Sequence, residues 1–270
     1  MKKMRNIKLS GILFVFVFYL SLFSSDEKWW NENWEYRVKI TLKNPYEVPF
    51  KNIPIIISGE ILRRKTGLLK EKISTSSIRI VDLNGVEIPV QVDEKDEIGL
   101  FQNIGNGELD KGDEIVFQVS FLPKEEKNLY IYFRKKIAPL PEYPTDLKFT
   151  KTVFGQMGIN YNGELKNSII SIGIRGSGKE KDEKGNLIYG GLGKGAITSF
   201  KIKDKELIYQ GHSWGWYLLY SQISTILPWE DPILLIDGPV RKIVVCKALN
   251  QDRNFTEELK GSSWMLSGKI

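Results

Sequence analysis

Tyr209-Gln210-Gly211-His212-Ser213-Trp214-Gly215-Trp216-Tyr217 places the only histidine of the chain beside two tryptophans and two tyrosines. Sugar rings offer flat C–H faces that stack on aromatic rings, and hydroxyls that need polar partners. The composition of this stretch therefore suits a carbohydrate surface. In an extended chain Trp214, Trp216 and Leu218 point one way, and Ser213, Gly215 and Tyr217 the other. Trp214, Trp216 and Tyr217 are candidate substrate-binding residues on that reading. The competing reading has the tryptophans filling a core, where a large ring buries about 150–250 Å².

Other chemistries are short of residues. With one histidine and one cysteine, a zinc site of the usual His/Cys type lacks ligands, and a Ser-His-Asp triad would have to be built on His212. Cys246 follows the apolar run Ile243-Val244-Val245 and reads as a buried structural thiol. Gly173 to Lys179 matches the first seven positions of a phosphate-binding loop. Glu180 then stands where a hydroxyl is needed for Mg²⁺, so the segment reads as an exposed loop. Gly105 to Glu114 carries oxygen-bearing side chains at alternate positions, a spacing that suits Ca²⁺. Its glycine falls one place late for an EF-hand and the twelfth position is Phe117, so a polar turn is the better reading and no cofactor is expected. Glu230, Asp231 and Asp237 offer carboxylates for glycosidase chemistry, but nothing in the sequence sets their separation, which is the deciding geometry.

The opening residues direct the chain outward. Lys2, Lys3, Arg5 and Lys8 precede the uncharged apolar run 9–23, which small Ser24 and Ser25 follow. As a helix the run spans about 22 Å, short of the ~30 Å hydrocarbon core. Residues 1–25 read as a secretory signal, or as an N-terminal membrane anchor if uncleaved. No cysteine lies near the run, which removes a bacterial-type lipid anchor. An extracellular or cell-surface location follows, with the membrane touched only through this segment. Without those four bases the formal charge falls from +6 to +2, with the two signs interleaved as in Lys124-Glu125-Glu126-Lys127. That is a solvated surface and no nucleic-acid partner is expected.

The elements that must position these residues are strands. Tyr36, Val38, Ile40 and Leu42 share one face of a period-two run, Ile53–Ile57 forms another, and Ile78–Val81 leads through Asn84-Gly85 into Val86–Val92. An Asn-Gly turn between two such runs is a strong hairpin signal. Further strands are expected at Glu114–Phe121 and Asn128–Phe133, with one short helix around Ile61 to Lys72. This pattern predicts an all-β protein whose residues 26–136 form an antiparallel β-sandwich. Trp29, Trp30 and Trp34, just before the first strand, are expected to seal one end of it. Residues 137–149, with Pro139, Pro141 and Pro144, read as a linker. A second β-rich domain over 150–270 is marked by runs at Ser168–Ile174, Ile197–Ile202, Trp214–Ile226, Ile233–Ile236 and Val240–Val245. The last residues, from Ser262 to Ile270, read as strand and not as a polar tail, as in a chain that ends inside a sheet.

Several fragments in order carry a family resemblance. They are Trp34–Arg37, Ser77–Asp82, Gly85–Gln91, Asp113–Phe117, Tyr130–Phe133 and Asp237–Arg241. Together they resemble the N-terminal portion of secreted polysaccharide-lyase-like proteins of the rhamnogalacturonan exolyase type. The resemblance implies a β-sandwich followed by a β-supersandwich, here an incomplete one, and action on an acidic polysaccharide. In such lyases a base removes the proton α to a uronate carboxylate while cationic groups neutralise that carboxylate. His212 or Tyr209 would serve as base, and Arg241 or Arg175 as neutraliser. The alternative function is a non-catalytic cell-surface or structural sandwich module.

Overall fold

The alternating runs fold as antiparallel sheets. The structure, a computed structural model, describes residues 29–154, 160–174, 179–181, 187–189, 197–207, 231–246 and 262–267. The opening segment 1–25 and the aromatic stretch 209–217 lie outside these residues. Among the described residues no helix is long and apolar enough to cross a membrane. The described chain divides into two units. One runs up to Val92 and includes Asn106–Pro141; the other comprises Asp93–Gly105 and the residues from Glu142 onward.

The first unit is a sandwich of two antiparallel sheets. One has the order β1 (Tyr36–Lys43), β7 (Glu126–Phe133), β3 (Arg79–Asp82), β4 (Glu87–Ile88). The other has the order β2 (Phe50–Ser58), β6 (Glu114–Phe121), β5 (Val90–Asp93). Ile40 pairs with Leu129 and Val38 with Ile131, so the expected apolar face of β1 enters the core. Ile55 and Ile57 answer Phe117 and Ile115 in the facing sheet.

The run Val86–Val92 is not one strand. The Asn84-Gly85 turn forms as expected, with Gly85 at φ +83° and the Asp82 carboxylate accepting from the amides of Asn84 and Val86. Pro89 then divides β4 in one sheet from β5 in the other. A proline has no N–H for the ladder, so the chain changes sheets there. The helix α1 (Gly59–Thr66) is also shorter than the expected 61–72, because Gly67 at φ +72° ends it with a left-handed cap.

The three tryptophans cover the outer face of a sheet and do not seal an end. Leu129, Ile131 and Phe133 of β7 face the core, so Tyr130 and Tyr132 emerge on the opposite side. Trp29 and Trp30 each lie 5.5 Å from the Tyr132 ring, and Trp30 lies 5.1 Å from Trp34. Trp34 Nε1 donates to the Ser77 carbonyl at 2.6 Å. The Arg37 guanidinium sits 4.6 Å from Trp29 and 4.8 Å from Tyr130, while Arg79 and Arg134 flank Trp34. Strand β7 is thus buried on both faces. Ala138 joins this aromatic layer and Pro139 accepts from Arg79, whereas Leu147 is core in the second unit. The proline-rich stretch is accordingly shared out, and β8 already begins at Lys148.

In the second unit a five-stranded sheet has the order β14 (Lys205–Glu206), β13 (Ile197–Ile202), β10 (Ile170–Ile174), β9 (Asn160–Lys166), β8 (Lys148–Phe154). A three-stranded sheet, β15 (Ile233–Asp237), β16 (Arg241–Cys246), β17 (Ser262–Ser267), contributes Val244 and Leu234 to the same core as Leu165, Ile172 and Ile174. At the end of the phosphate-loop-like stretch, β11 (Lys179–Lys181) begins and pairs with β12 (Leu187–Tyr189). The residues after the glycines of the phosphate-loop-like stretch are therefore strand, not the helix such a loop must open.

Two outcomes follow for the first unit. Trp34→Ala should cost about 3–5 kcal/mol in denaturant unfolding, and Trp34→Phe, which loses mainly the N–H bond, about 1–2 kcal/mol. The Leu122 amide and then Lys127 hold the Glu125 carboxyl below its ordinary 4.5. A lowered folded value gives stability that is present above the ordinary value and lost as pH falls through the folded one. Glu125→Gln should therefore lower the melting temperature at neutral pH, and the difference from the parent should close in acid.

Candidate functional site

The chemistry-bearing face of the second unit is set by alternation in five strands. Leu147 and Phe149, Leu165, Ile170 and Ile172, and Phe200 pack into the core. Their neighbours Lys148, Thr150, Glu164, Lys166, Ser171, Gly173, Ser199 and Lys201 must then occupy the other face. Register arranges them in two rows across the strands. The first runs Lys148–Lys166–Ser171–Lys201–Glu206 and the second Thr150–Glu164–Gly173–Ser199. Between Gly173 and Ile174 the partner advances from Ser199 to Ile197, which leaves Thr198 as the extra residue of a bulge. The bulge returns Ile197 to the core side while Ser199 and Lys201 keep the polar side.

Each carboxylate on this face is held by a hydroxyl and a cation. Ser171 Oγ donates to Glu164 Oε1 at 2.6 Å, and Lys166 Nζ lies 3.1 Å from Oε2. Ser199 Oγ donates to Glu206 Oε2 at 2.6 Å, the Phe200 amide donates to Oε1 at 2.9 Å, and Lys201 Nζ lies 3.9 Å away. Glu164 and Ser199 are buried, whereas Lys148 and Thr150 on the edge strand are exposed. Gly173 is itself buried and brings no side chain to the middle of its row. The accessible part of the face, Lys148 and Thr150 with the partly exposed Lys166, Ser171 and Lys201, offers hydroxyl and ammonium groups, which sugar hydroxyls and carboxylates can take as partners.

Of the residues singled out for lyase chemistry or sugar stacking, Arg241 alone lies among those described; Tyr209, His212, Trp214, Trp216, Tyr217 and Arg175 lie outside them. Arg241 begins β16 just after the Asp237-Gly238-Pro239-Val240 turn, where Gly238 N donates to the Arg241 carbonyl. Its side chain is 3% exposed, and both Nε (2.8 Å) and Nη2 donate to Asp93 Oδ2. Phe101 lies under the guanidinium at 5.2 Å. Engaging a substrate carboxylate would mean displacing Asp93, so the geometry gives Arg241 a structural task.

Phe101 is held in place by a hairpin. Gln102 N donates to the Glu94 carbonyl, Lys95 bridges to Phe101, and Asp96 Oδ1 accepts from the amides of Ile98 and Leu100. Lys242, beside Arg241 and pointing to the other side of the strand, pairs with Asp237; burial holds its ammonium below the usual lysine value. In the stretch considered for Ca²⁺, the oxygens of Asn106 and Asp113 accept from the amides of Glu108 and Asp110. They do the work of a polar turn. Among the described residues no group of three or more His, Cys, Asp or Glu could hold a metal ion.

Glu164, Ser171, Ser199, Lys201 and Glu206 escaped the sequence reading. The runs of β10 and β13 were legible, but a polar residue in a strand points nowhere in particular until its partner strand and register are known. The chain matches no protein-family model and no curated protein.

Removing one partner of a buried ion pair leaves the other charge uncompensated. Arg241→Met should destabilise by about 3–5 kcal/mol, and the double change Asp93→Leu with Arg241→Met should recover much of the loss. Equilibrium unfolding in urea checks both.

Proposed function

We propose that this is an exported β protein that handles polysaccharide, with the ligand carried by its second unit. The observation that carries the reading is the polar face of the five-stranded sheet. It sets Glu164, Ser171, Ser199, Lys201 and Glu206 beside the side-chain-free Gly173, opposite an apolar face committed to the core. The aromatic stretch 209–217 supports it from sequence, because stacking surfaces and polar partners are what a sugar needs. The N-terminal basic and apolar segment supports export, to the cell surface or beyond it. In the first unit the tryptophans are engaged in packing, which suits a scaffold role there.

The finer reading is lyase chemistry on an acidic polysaccharide, as the resemblance implies. His212 or Tyr209 would take the proton α to the uronate carboxylate, and Arg175 would neutralise that carboxylate. Arg241, already committed to Asp93, is left out of this assignment. Binding without cleavage is the second reading; it keeps the same sheet face and gives His212 no chemical task.

The purified protein should be retained on immobilised acidic polysaccharide, and incubation should release chains with unsaturated uronate ends. His212→Ala or Tyr209→Phe, whichever removes the base, should abolish release and leave retention in place. Retention without release would leave the binding reading, and no retention on any polysaccharide would end the proposal.

A further inference from the structure

The first row of the polar face has a property the second lacks. Lys148 stands directly across from Lys166, and Lys201 follows in the same row on the far side of Ser171. With neighbouring strands about 4.8 Å apart, Lys148 and Lys166 originate about 5 Å apart and Lys201 about 10 Å further on. Like charges directly opposite one another on adjacent strands are destabilising. Lys166 leans on Glu164 and Lys201 is near Glu206, yet those carboxylates are also held by Ser171, Ser199 and the Phe200 amide. Lys148 is exposed and has no carboxylate partner among the described residues. The side chains of Lys166 and Lys201 remain 43% and 21% exposed, so their ammonium groups are within reach of solvent.

We infer that this row, Lys148–Lys166–Lys201, is a binding track for a carboxylate-bearing polysaccharide laid across the strands of the second unit. The inference rests on the proposed function and adds to it the residues that engage the carboxylates of the ligand. An anionic polymer supplies Lys148 with a counter-charge such as Lys166 takes from Glu164. In the adjoining row Glu164, Gly173 and Ser199 are buried, and Thr150 on the edge strand is exposed to the same polymer. A neutral glucan would bring no charge to the lysines of the first row. A duplex nucleic acid would meet the same lysines, which makes DNA the competing polyanion in the test.

The full chain is to be titrated with polygalacturonate, dextran and duplex DNA over a range of NaCl concentrations. Polygalacturonate should bind best, and its affinity should fall as salt rises. The triple change Lys148→Ser, Lys166→Ser, Lys201→Ser should weaken polygalacturonate at least tenfold without touching dextran. Lys39→Ser, on the first unit, should change nothing. Lys148→Glu, at an exposed edge position, tests the same point with a several-fold loss should the triple variant not fold. Undiminished polygalacturonate affinity in the variants overturns the inference, as does tighter binding of DNA. Equal binding of dextran and polygalacturonate overturns the track and leaves the polysaccharide reading standing, whereas failure to bind either polysaccharide overturns both.

Discussion

The two-residue period of an extended chain is the constraint on which both units depend. A shift of one residue in any pairing would exchange the faces of a strand. In β7 that exchange would send Tyr130 and Tyr132 into the sandwich core and Leu129, Ile131 and Phe133 out under the tryptophans. In β10 it would bury Ser171 and expose Ile170 and Ile172. The register is held because the two faces of each strand meet different partners. For β7 those partners are a core of aliphatic chains on one side and a layer of Trp29, Trp30 and Trp34 on the other.

Cations are used in two ways that burial tells apart. Arg63, Arg79 and Arg241 are buried, and each spends its guanidinium inside the protein. Arg63 donates to the carbonyls of Leu109, Leu68, Leu69 and Glu71. Arg79 serves Ser76, Ile78 and Pro139 and pairs with Glu87. Arg241 is taken by Asp93. A planar fork of five donors can satisfy several carbonyls at once, which lets a charge stay buried where a chain must be tied down. The lysines of the five-stranded sheet are different, because their compact ammonium groups stay at the surface on flexible stems and keep capacity for a ligand.

That contrast shapes the functional reading. An arginine in a familiar-looking segment invites a catalytic role, yet Arg241 is among the most enclosed charges in the second unit. The Asp237–Arg241 segment is a turn that places a buried cation, and Phe101 under it completes a packing arrangement. The partly exposed lysines Lys148, Lys166 and Lys201 lie on the other sheet. Enclosed arginines thus serve packing, whereas Lys148, Lys166 and Lys201 keep their ammonium groups within reach of solvent.

Much of the architecture was legible in the sequence, because alternation, Asn84-Gly85 and the spacing of turn residues are local signals. They placed β1, β3, β6, β7, β10 and β13 close to where they stand, and the short helix as well. The role of Pro89 as a change of sheet, the entry of β8 directly after the prolines, and the tryptophan layer over β7 depended on which segments become neighbours. The same holds for the candidate site. Lys148, Lys166 and Lys201 are ordinary surface residues when read along the chain, since charge and spacing alone do not say which strands will pair. Only antiparallel pairing with a bulge at Thr198 brings them into one row, because the direction of a side chain is local but its company is set by register.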